Sequence, residues 1–508
     1  MTVPFLSSIE LFSQNKCNSK QRRMTDKVII WTLGKAYTIY MLPFYFEEDF
    51  CCTFWENENI LISDEGTETD VLYPYIMDFF QGQIHEKSPN RSYNHLRVLR
   101  LKKDGQSSYI KFWNSFISHN HIAYIPQGKK NKEDIFLPIS FKILSENEKG
   151  FKAPHIFVYE SGKVGMLTFC IELAERISTV EQLKLLNYHL HKIHNPMCRC
   201  VCPALSISKQ RVFKDEEERK KAEEGFKLSR SYITSHNSSE DNSNYYEFDW
   251  NIRSLIDMWI CKDSNISLFS DMRMHLFTYY QIDDTANGVA SKDDIMPDLF
   301  RLSRCVNDKY LLPFSRMETD GLMLQSFENI YIASSVEGTA FCAIAKKENA
   351  GFINQMDGNV RLRYIWIYLL ALIQRYTLLN LTRQMIIENS HKKEESIQGI
   401  IEVIKNTKMY CYYTDVSPYT QHNQFYQHCC RNLHIKELFD EVESKTGIYN
   451  LVINKNQEKK QRQLNWIVGI LTVLQAGSAV FEIWKSYYLA LAVMMLAAVI
   501  IYLVFKTK

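Results

Sequence analysis

The sequence predicts an α/β cytosolic domain, followed by long stalk helices and a C-terminal transmembrane hairpin of two helices. Two apolar stretches near the C-terminus, Leu464–Phe481 and Tyr487–Phe505, predict the hairpin. Each approaches the roughly 20 helical residues that are needed to cross about 30 Å of hydrocarbon. A long helical pattern precedes them, and mixed strand and helix patterns occupy the first part of the chain.

Length and composition fit a multi-unit protein with a substantial folded core. The chain has 508 residues, a formal net charge of +2 and 46% hydrophobic residues. This charge gives no reason to expect a direct nucleic-acid partner. The 13 cysteines are odd in number and scattered, which favours a reducing cytosol over a disulfide framework. No secretory signal is visible in the first 27 residues.

Changes in composition divide the chain into segments. An N-terminal extension is followed by an α/β cytosolic region, a charged and polar linker, a second part of the cytosolic region, a helical bundle with the stalk, and the hairpin. Their predicted bounds are 1–27, 28–213, 214–246, 247–358, 359–463 and 464–505.

Turn signals and apolar runs predict the elements of the cytosolic region. Ser161-Gly162 lies between the strand-like runs Ile156–Tyr159 and Val164–Ile171, which predicts a hairpin. Residues 245–352 have mainly helical patterns, with a second hairpin near the end of this segment, on either side of Glu337-Gly338. The apolar block Tyr364–Ile373 is too short for a bilayer, so it predicts a buried cytosolic helix.

Charges around the apolar stretches predict their orientation. Four basic residues lead into the first stretch and two follow the second, whereas one lies between them: Lys455, Lys459, Lys460 and Arg462, then Lys506 and Lys508, and Lys485 in the loop. The positive-inside bias predicts a multi-pass protein of the inner (plasma) membrane with both termini in the cytoplasm.

Small and polar residues form one stripe of the first predicted span. At about 100° per residue, positions spaced by four and three fall on one side of a helix. The stripe consists of Asn465, Gly469, Thr472, Ala476 and Ala479, with Gln475 and Glu482 beside it. Such a side suits water or other helices, whereas the second span is almost wholly apolar and suits lipid. These seven residues are candidate pore-lining residues.

Two interpretations of the stripe remain open. The small residues can pack the two helices of one hairpin, or several copies can assemble so that the first helix lines a pore. One hairpin cannot enclose a conduit, so transport requires a homo-oligomer. Glu482 would then repeat around the axis as a ring of carboxylates that favours cations.

The C-terminal third resembles the CorA family of divalent-cation channels. The resemblance covers roughly residues 361–508 and is carried by Tyr449-Asn450-Leu451, the charged run 456–460, Leu464-Asn465, the run 470–473, the two spans and the basic end 504–506. It implies a homo-oligomer, typically a pentamer, whose first span lines the pore and whose cytosolic funnel gates it by binding a ligand.

The sequence departs from that family at the outer end of the first span. The family carries Gly-Met-Asn there, whereas this chain has Val480-Phe481-Glu482. The ring of carbonyl and amide groups that binds a hydrated divalent cation in the family is therefore missing, which puts magnesium uptake in doubt. The altered motif and the large cytosolic region resemble the CorA-like membrane effectors of type III CRISPR antiviral systems. That resemblance implies a signalling nucleotide, such as a conjugate of S-adenosylmethionine and AMP, as the cytosolic ligand.

A dense group of histidines and cysteines is the main candidate metal site. It comprises His189, His191, His194, Cys198, Cys200 and Cys202. Its Cys-x-Cys-x-Cys spacing is not that of a zinc knuckle, and the histidines do not share one side of a helix, so ordinary structural residues are the default interpretation.

These observations favour a ligand-gated channel and membrane effector without enzymatic activity, since the phosphate-loop, dinucleotide-binding, serine-hydrolase and zincin motifs are absent from the sequence. Two alternatives remain: a transporter of divalent cations such as magnesium, and a nucleotide-processing enzyme tethered to the membrane by the hairpin.

Overall fold

A computed structural model gives the fold of the chain. It describes residues 32–484 with gaps, and seven residues between 488 and 499. The longer gaps are 58–71, 82–95, 103–115, 145–153, 206–232, 237–244, 284–291 and 308–320. The predicted extension 1–27, most of the linker and most of the second span thus lie outside the described residues.

Sixteen described strands form one mixed sheet. They are β1 (Thr32–Phe46), β2 (Trp55–Asn57), β3 (Leu96–Leu101), β4 (Asn120–Lys130), β5 (Glu133–Ile143), β6 (His155–Tyr159), β7 (Val164–Leu173), β8 (Ser178–Thr179), β9 (Arg199–Leu205), β10 (Ile233–His236), β11 (Tyr245–Trp250), β12 (Ile266–Leu268), β13 (His275–Asp283), β14 (Met323–Phe327), β15 (Ile330–Ser334) and β16 (Gly338–Ala345).

The helices lie on both faces of this sheet. They are α1 (Pro74–Gln81), α2 (Val180–Leu190), α3 (Ile252–Ile256), α4 (Lys292–Arg304), α5 (Ala350–Asn359), a π-helical turn (Val360–Tyr364), α6 (Ile365–His391), α7 (Glu394–Tyr410), α8 (Thr420–Asn432) and α9 (Ile435–Trp484). One apolar core packs α2, α3 and α4 against the sheet. A second core, on α1 and α5 to α8, also holds the first part of α9.

The main strand order is β10-β11-β9-β4-β5-β7-β1-β13-β16-β15-β14. β1 and β7, from the first cytosolic segment, pair antiparallel, and β1 also pairs antiparallel with β13 from the second segment. β13 in turn runs parallel to β16. The two predicted cytosolic segments therefore share a single sheet.

Both predicted hairpins are confirmed. β6 and β7 pair antiparallel on either side of Ser161-Gly162, and β15 and β16 pair antiparallel on either side of Glu337-Gly338. The close approach of Gly162 to α6 explains the glycine, because a Cβ there would lie 2.8 Å from Thr377 Oγ1. Asn380 Nδ2 also donates to the Gly162 carbonyl at 2.9 Å, which fastens this turn to α6.

The prediction that residues 245–352 are mainly helical is wrong. β13 is a central strand, and eight of its nine residues are buried. Because both of its faces are covered, the strand lacks the alternation of apolar and polar residues that marks a half-exposed strand. Within the predicted linker, the four residues of β10 pair with β11 at one edge of the sheet.

The predicted buried helix is confirmed. Tyr364–Ile373 forms the end of the π-helical turn and the start of α6, and all ten of these residues are buried. Among the described residues, one helical stretch, Ala350–Ile387, is long and apolar enough to cross a membrane, but 83% of its apolar window is buried inside the protein. That burial identifies it as a core helix.

Candidate functional site

The N-terminal end of α9, here called its base, is held by α6, the helix at the centre of the second core. α8 ends at Asn432 and α9 begins at Ile435, and His434 between them has a φ of 54°. Residues with a β-carbon rarely adopt this left-handed backbone conformation, except where a helix ends. Arg375 of α6 donates from Nη1 to the Leu433 carbonyl, one of the acceptors left without a helical partner where α8 ends.

A second attachment joins α6 and α9 further along both helices. The Tyr449 hydroxyl donates to the Met385 carbonyl at 3.1 Å. Between the two attachments, Ile435, Phe439 and Val442 are buried in the second core. The first part of α9 is therefore held parallel to α6, because residues 375 and 385 of α6 meet residues 433 and 449 in the same order.

The same helix contacts the sheet through a buried polar pair. His275 of β13 shares a hydrogen bond through Nε2 with the hydroxyl of Tyr376. Burial, and to a smaller extent the nearby Arg375, lower the pKa of His275 to about 3. His275 is therefore neutral at physiological pH. Since Tyr376 follows Arg375, adjacent residues of α6 contact the sheet and the base of α9.

The distal half of α9 emerges from the domain with its apolar side chains uncovered. Leu464, Ile467, Val468, Ile470, Leu471 and Leu474 are 50–60% exposed, and Trp466 is 41% exposed. The four basic residues that precede this segment, Lys455, Lys459, Lys460 and Arg462, are exposed as well. An uncovered apolar surface of this kind marks a site of interaction with a membrane or with other protein chains.

The candidate pore-lining residues lie on this uncovered segment. Asn465, Thr472, Gln475, Ala476, Ala479 and Glu482 are exposed, whereas Gly469 is half-buried. The Thr472 hydroxyl donates to the Val468 carbonyl at 2.8 Å, which turns its hydrogen-bonding group back onto the helix. Whether these residues line a pore stays a prediction.

A contact between the two predicted spans uses a neighbouring side of α9. Gly477 is buried, and a Cβ at this position would lie 2.5 Å from the Met494 side chain. At about 100° per residue, Gly477 lies about 100° around the helix from Ala476. The close contact within the hairpin at this point therefore leaves Ala476 and Ala479 exposed.

The described members of the histidine and cysteine group do not come together as a metal site. Cys200 and Cys202 of β9 are buried in the first core, and burial raises the pKa of Cys202 to about 12. His191 Nδ1 contacts the Asn187 carbonyl at 2.9 Å, as part of the end of α2. His194 and Cys198 lie outside the described residues, and among those described no three histidine, cysteine or acidic side chains gather to hold a metal ion.

Two polar residues that connect α6 to its surroundings had only a faint sequence signal. Gln374 and Arg375 interrupt the apolar block that precedes them. Gln374 donates from Nε2 to the Tyr426 hydroxyl at 2.8 Å and to the Cys411 carbonyl, so it joins α6 to α8 and to the end of α7. The interruption could have indicated buried polar contacts, but their partners are 37 to 58 residues away.

Comparison of the chain with protein-family models, with curated proteins and with solved structures found no match to any of them.

Proposed function

We propose that this protein is a ligand-gated, homo-oligomeric membrane channel, in which the α/β domain binds the ligand and α9 carries the response into the membrane. The proposal rests mainly on α9. Its first half packs in the second core of the domain, whereas the apolar side chains of its distal half are uncovered. An apolar segment of this size is unstable in water, and lipid is the environment that suits it.

The dimensions of α9 suit this role. Its 50 residues extend over about 75 Å at 1.5 Å per residue. The part from Leu464 to Trp484 accounts for about 31 Å, which matches the hydrocarbon core of a bilayer at about 30 Å. The basic residues from Lys455 to Arg462 then lie at the membrane surface on the side of the α/β domain, which the positive-inside bias places in the cytoplasm.

A conduit requires several copies, because two helices cannot surround water. The exposed stripe from Asn465 to Ala479 supplies a side with small and polar groups, and the contact of Gly477 with Met494 does not cover it. In an assembly around an axis, this side would face the lumen and Glu482 would form a ring of carboxylates near its outer end.

The connections of α6 provide a route for gating. A ligand changes the conformation of a protein only through different affinities for its states. A ligand that alters the arrangement of β13 would act on Tyr376, and the adjacent Arg375 holds the base of α9. The CorA-like resemblance suggests that the ligand is a signalling nucleotide and that the channel serves antiviral defence.

Flux measurements in liposomes test the proposal. The full chain is reconstituted in vesicles loaded with a fluorescent indicator, with and without nucleotides, including a conjugate of S-adenosylmethionine and AMP. We expect ligand-dependent ion flux that falls about tenfold or more in Thr472→Leu, because an apolar side chain in the lumen raises the barrier for ions; tenfold corresponds to about 1.4 kcal/mol.

Ser478→Leu provides the matched control. Ser478 is exposed, about 9 Å further along the helix than Thr472, and lies about 120° or more from Thr472 and Ala476 around the helix. Its flux should stay close to that of the unmodified protein. Equal flux in the two variants, or no flux with any ligand in a correctly inserted protein, contradicts the proposal.

A further inference from the structure

Two buried tyrosine hydroxyls lie side by side in the second core. Tyr37 of β1 and Tyr279 of β13 are directly opposite each other in the sheet, and their rings stack with centroids 5.3 Å apart. Both side chains are buried, and neither hydroxyl has a hydrogen-bond partner within the described part of the chain. Buried polar groups without partners are costly, so two neighbouring ones require an explanation.

Further polar groups surround the two hydroxyls on the same face of the sheet. Gln281 lies two positions after Tyr279 on β13 and therefore shares its face. Its side chain is buried, and its Oε1 also lacks a hydrogen-bond partner among the described residues. Lys35 of β1 reaches Asp357 of α5, with Nζ 3.4 Å from Oδ2, and is 47% exposed. Lys35 therefore marks the edge of this polar group that water can reach.

Arg361 covers the tyrosines from the helical side. Its guanidinium carbon lies 4.4 Å from the centre of the Tyr37 ring, and its Nε and Nη2 donate to Asp357, which leaves Nη1 as a further donor. Burial raises the pKa of both tyrosines, and the Asp357 carboxylate contributes to the rise in each, whereas Arg361 opposes it at Tyr37. Both hydroxyls thus lie close to the carboxylate. Lys35 and Arg361 share this one carboxylate, so the group retains an excess of positive charge.

We propose that this group, here called the tyrosine site, binds a phosphate group of a small soluble molecule between the sheet and the π-helical turn. The donors are the hydroxyls of Tyr37 and Tyr279, Nη1 of Arg361 and Nζ of Lys35. They approach from the sheet, from the helical side and from the exposed edge. Such an arrangement suits the tetrahedral oxygens of a phosphate better than the two coplanar oxygens of a carboxylate. A π-helical turn is itself frequent at functional sites.

The phosphate belongs to a soluble molecule and not to a lipid, because the site lies far from the proposed membrane surface. At 1.5 Å per residue, Arg361 is about 36 Å from Met385, the residue at which Tyr449 of α9 is attached. The apolar segment that begins at Leu464 lies about 22 Å beyond Tyr449 in the same direction. A lipid headgroup at that surface cannot reach the tyrosine site.

The role of the tyrosine site in gating rests on the proposed channel, whereas its binding of phosphate does not. Because both hydroxyls are buried, a phosphate reaches them only when the π-helical turn moves away from the sheet. That turn, Val360–Tyr364, continues directly into α6. Tyr279 belongs to β13, whose residue His275 contacts Tyr376 of α6. A bound phosphate would therefore act on α6 both through the turn and through the strand.

Thermal unfolding of the detergent-solubilised full chain, titrated with inorganic phosphate at constant ionic strength, tests the site. We expect phosphate to raise the unfolding midpoint of the unmodified protein. Its apparent affinity should fall about tenfold or more in Tyr37→Phe and in Tyr279→Phe, because each removes one hydrogen bond to an anion. Tyr40→Phe is the matched control and should keep the affinity, because Tyr40 lies in the first core, where its hydroxyl donates to Asn187 Oδ1 at 3.0 Å.

Unfolding without phosphate provides a second measurement. Tyr37→Phe should not lower the midpoint, because its hydroxyl has no hydrogen bond to lose in the described part of the chain, whereas Tyr40→Phe should. Equal losses in the two variants would show that the protein or a fixed water satisfies the Tyr37 hydroxyl, and would overturn the site.

The response to phosphate also separates this site from the channel. No phosphate-dependent shift in the unmodified protein, or a shift of equal size in all variants, overturns the tyrosine site whatever the flux in liposomes. A shift that requires both Tyr37 and Tyr279, in a correctly inserted protein that conducts with no ligand, supports the tyrosine site and contradicts only the channel.

Discussion

Buried polar side chains define the connections between distant parts of this fold. The sequence indicates them only as interruptions of apolar runs, as at Gln374 and Arg375. Their partners could not be predicted, because hydrogen bonds such as that of His275 with Tyr376 join residues 101 positions apart. A single sequence contains no information on which apolar surfaces meet, and only the packing of α6 on the sheet brings these groups together.

A buried ion pair at the π-helical turn is a polar connection whose contribution to stability can be tested. Arg361 donates to both Asp357 oxygens, at 2.6 and 2.7 Å, and its guanidinium lies 4.4 Å from the centre of the Tyr37 ring. The side chains of Arg361 and Asp357 are 9% and 12% exposed. The pair therefore joins α5 and the turn to β1 in a site with little access to water.

Removing the carboxylate at residue 357 should destabilise the protein markedly. Asp357→Asn leaves the Arg361 cation buried without its counter-charge, which costs on the order of 3 kcal/mol. Lys35→Gln is the control, because Lys35 contacts the same carboxylate at 3.4 Å but is 47% exposed, and an exposed pair contributes less than about 1 kcal/mol. Thermal unfolding followed by circular dichroism measures both; similar losses in the two variants contradict this account of the pair.

At the scale of elements, strands on either side of a turn signal follow from local sequence even when they are buried, whereas a buried strand without such a turn does not. Ser161-Gly162 and Glu337-Gly338 predict their hairpins because turns require particular residues. β13 was missed because His-Leu-Phe-Thr-Tyr-Tyr-Gln-Ile-Asp contains no two-residue alternation. α9 was predicted as a helix that leads into the first span, but its separation from α8 at Leu433 and His434 was not.

The pairing of β1 with β7 depends on a glycine beneath an aromatic ring. Phe44 lies opposite Gly165, and a Cβ on Gly165 would be 2.2 Å from the Phe44 ring. Phe44 is fully buried, so its ring has little room to move. Gly165→Ala should cost about 1–3 kcal/mol through overpacking.

Gly399→Ala is the corresponding control in a helix. Gly399 lies in α7, and its β-position has no atom within 4 Å. Alanine there should stabilise the protein by up to about 1 kcal/mol, because it restricts the unfolded chain and favours the helix. Thermal unfolding should therefore have a lower midpoint in Gly165→Ala and a higher midpoint in Gly399→Ala. A loss of stability in both variants would show that the Phe44 contact is not what makes alanine unfavourable at Gly165.

At the scale of the whole molecule, hydrogen bonds join the sheet to α6 and α6 to the projecting helix α9. Hydropathy predicts the apolar segment near the end of α9, because an apolar stretch of about 20 residues is a property of local composition. The orientation of α9 could not be predicted, since it depends on Arg375 and Tyr449, which attach α9 to α6. In the proposed channel these attachments determine which side of the distal half faces the lumen.

Insertions into α9 test whether this orientation matters. Two alanines added after Asn454, beyond the Tyr449 attachment, rotate the distal half by about 200° and turn the Asn465–Ala479 stripe away from its original direction. Seven residues added at the same point rotate it by about 700°, which returns the stripe to within about 20° of its original direction.

We therefore expect the two-residue insertion to abolish ligand-dependent flux in liposomes and the seven-residue insertion to retain much of it, although the longer insertion lengthens the helix by about 10 Å. Protease protection of the C-terminus confirms that both variants are inserted. If flux depends on the length added and not on the rotation, then α9 sets only the distance of the domain from the membrane, and the stripe does not face water.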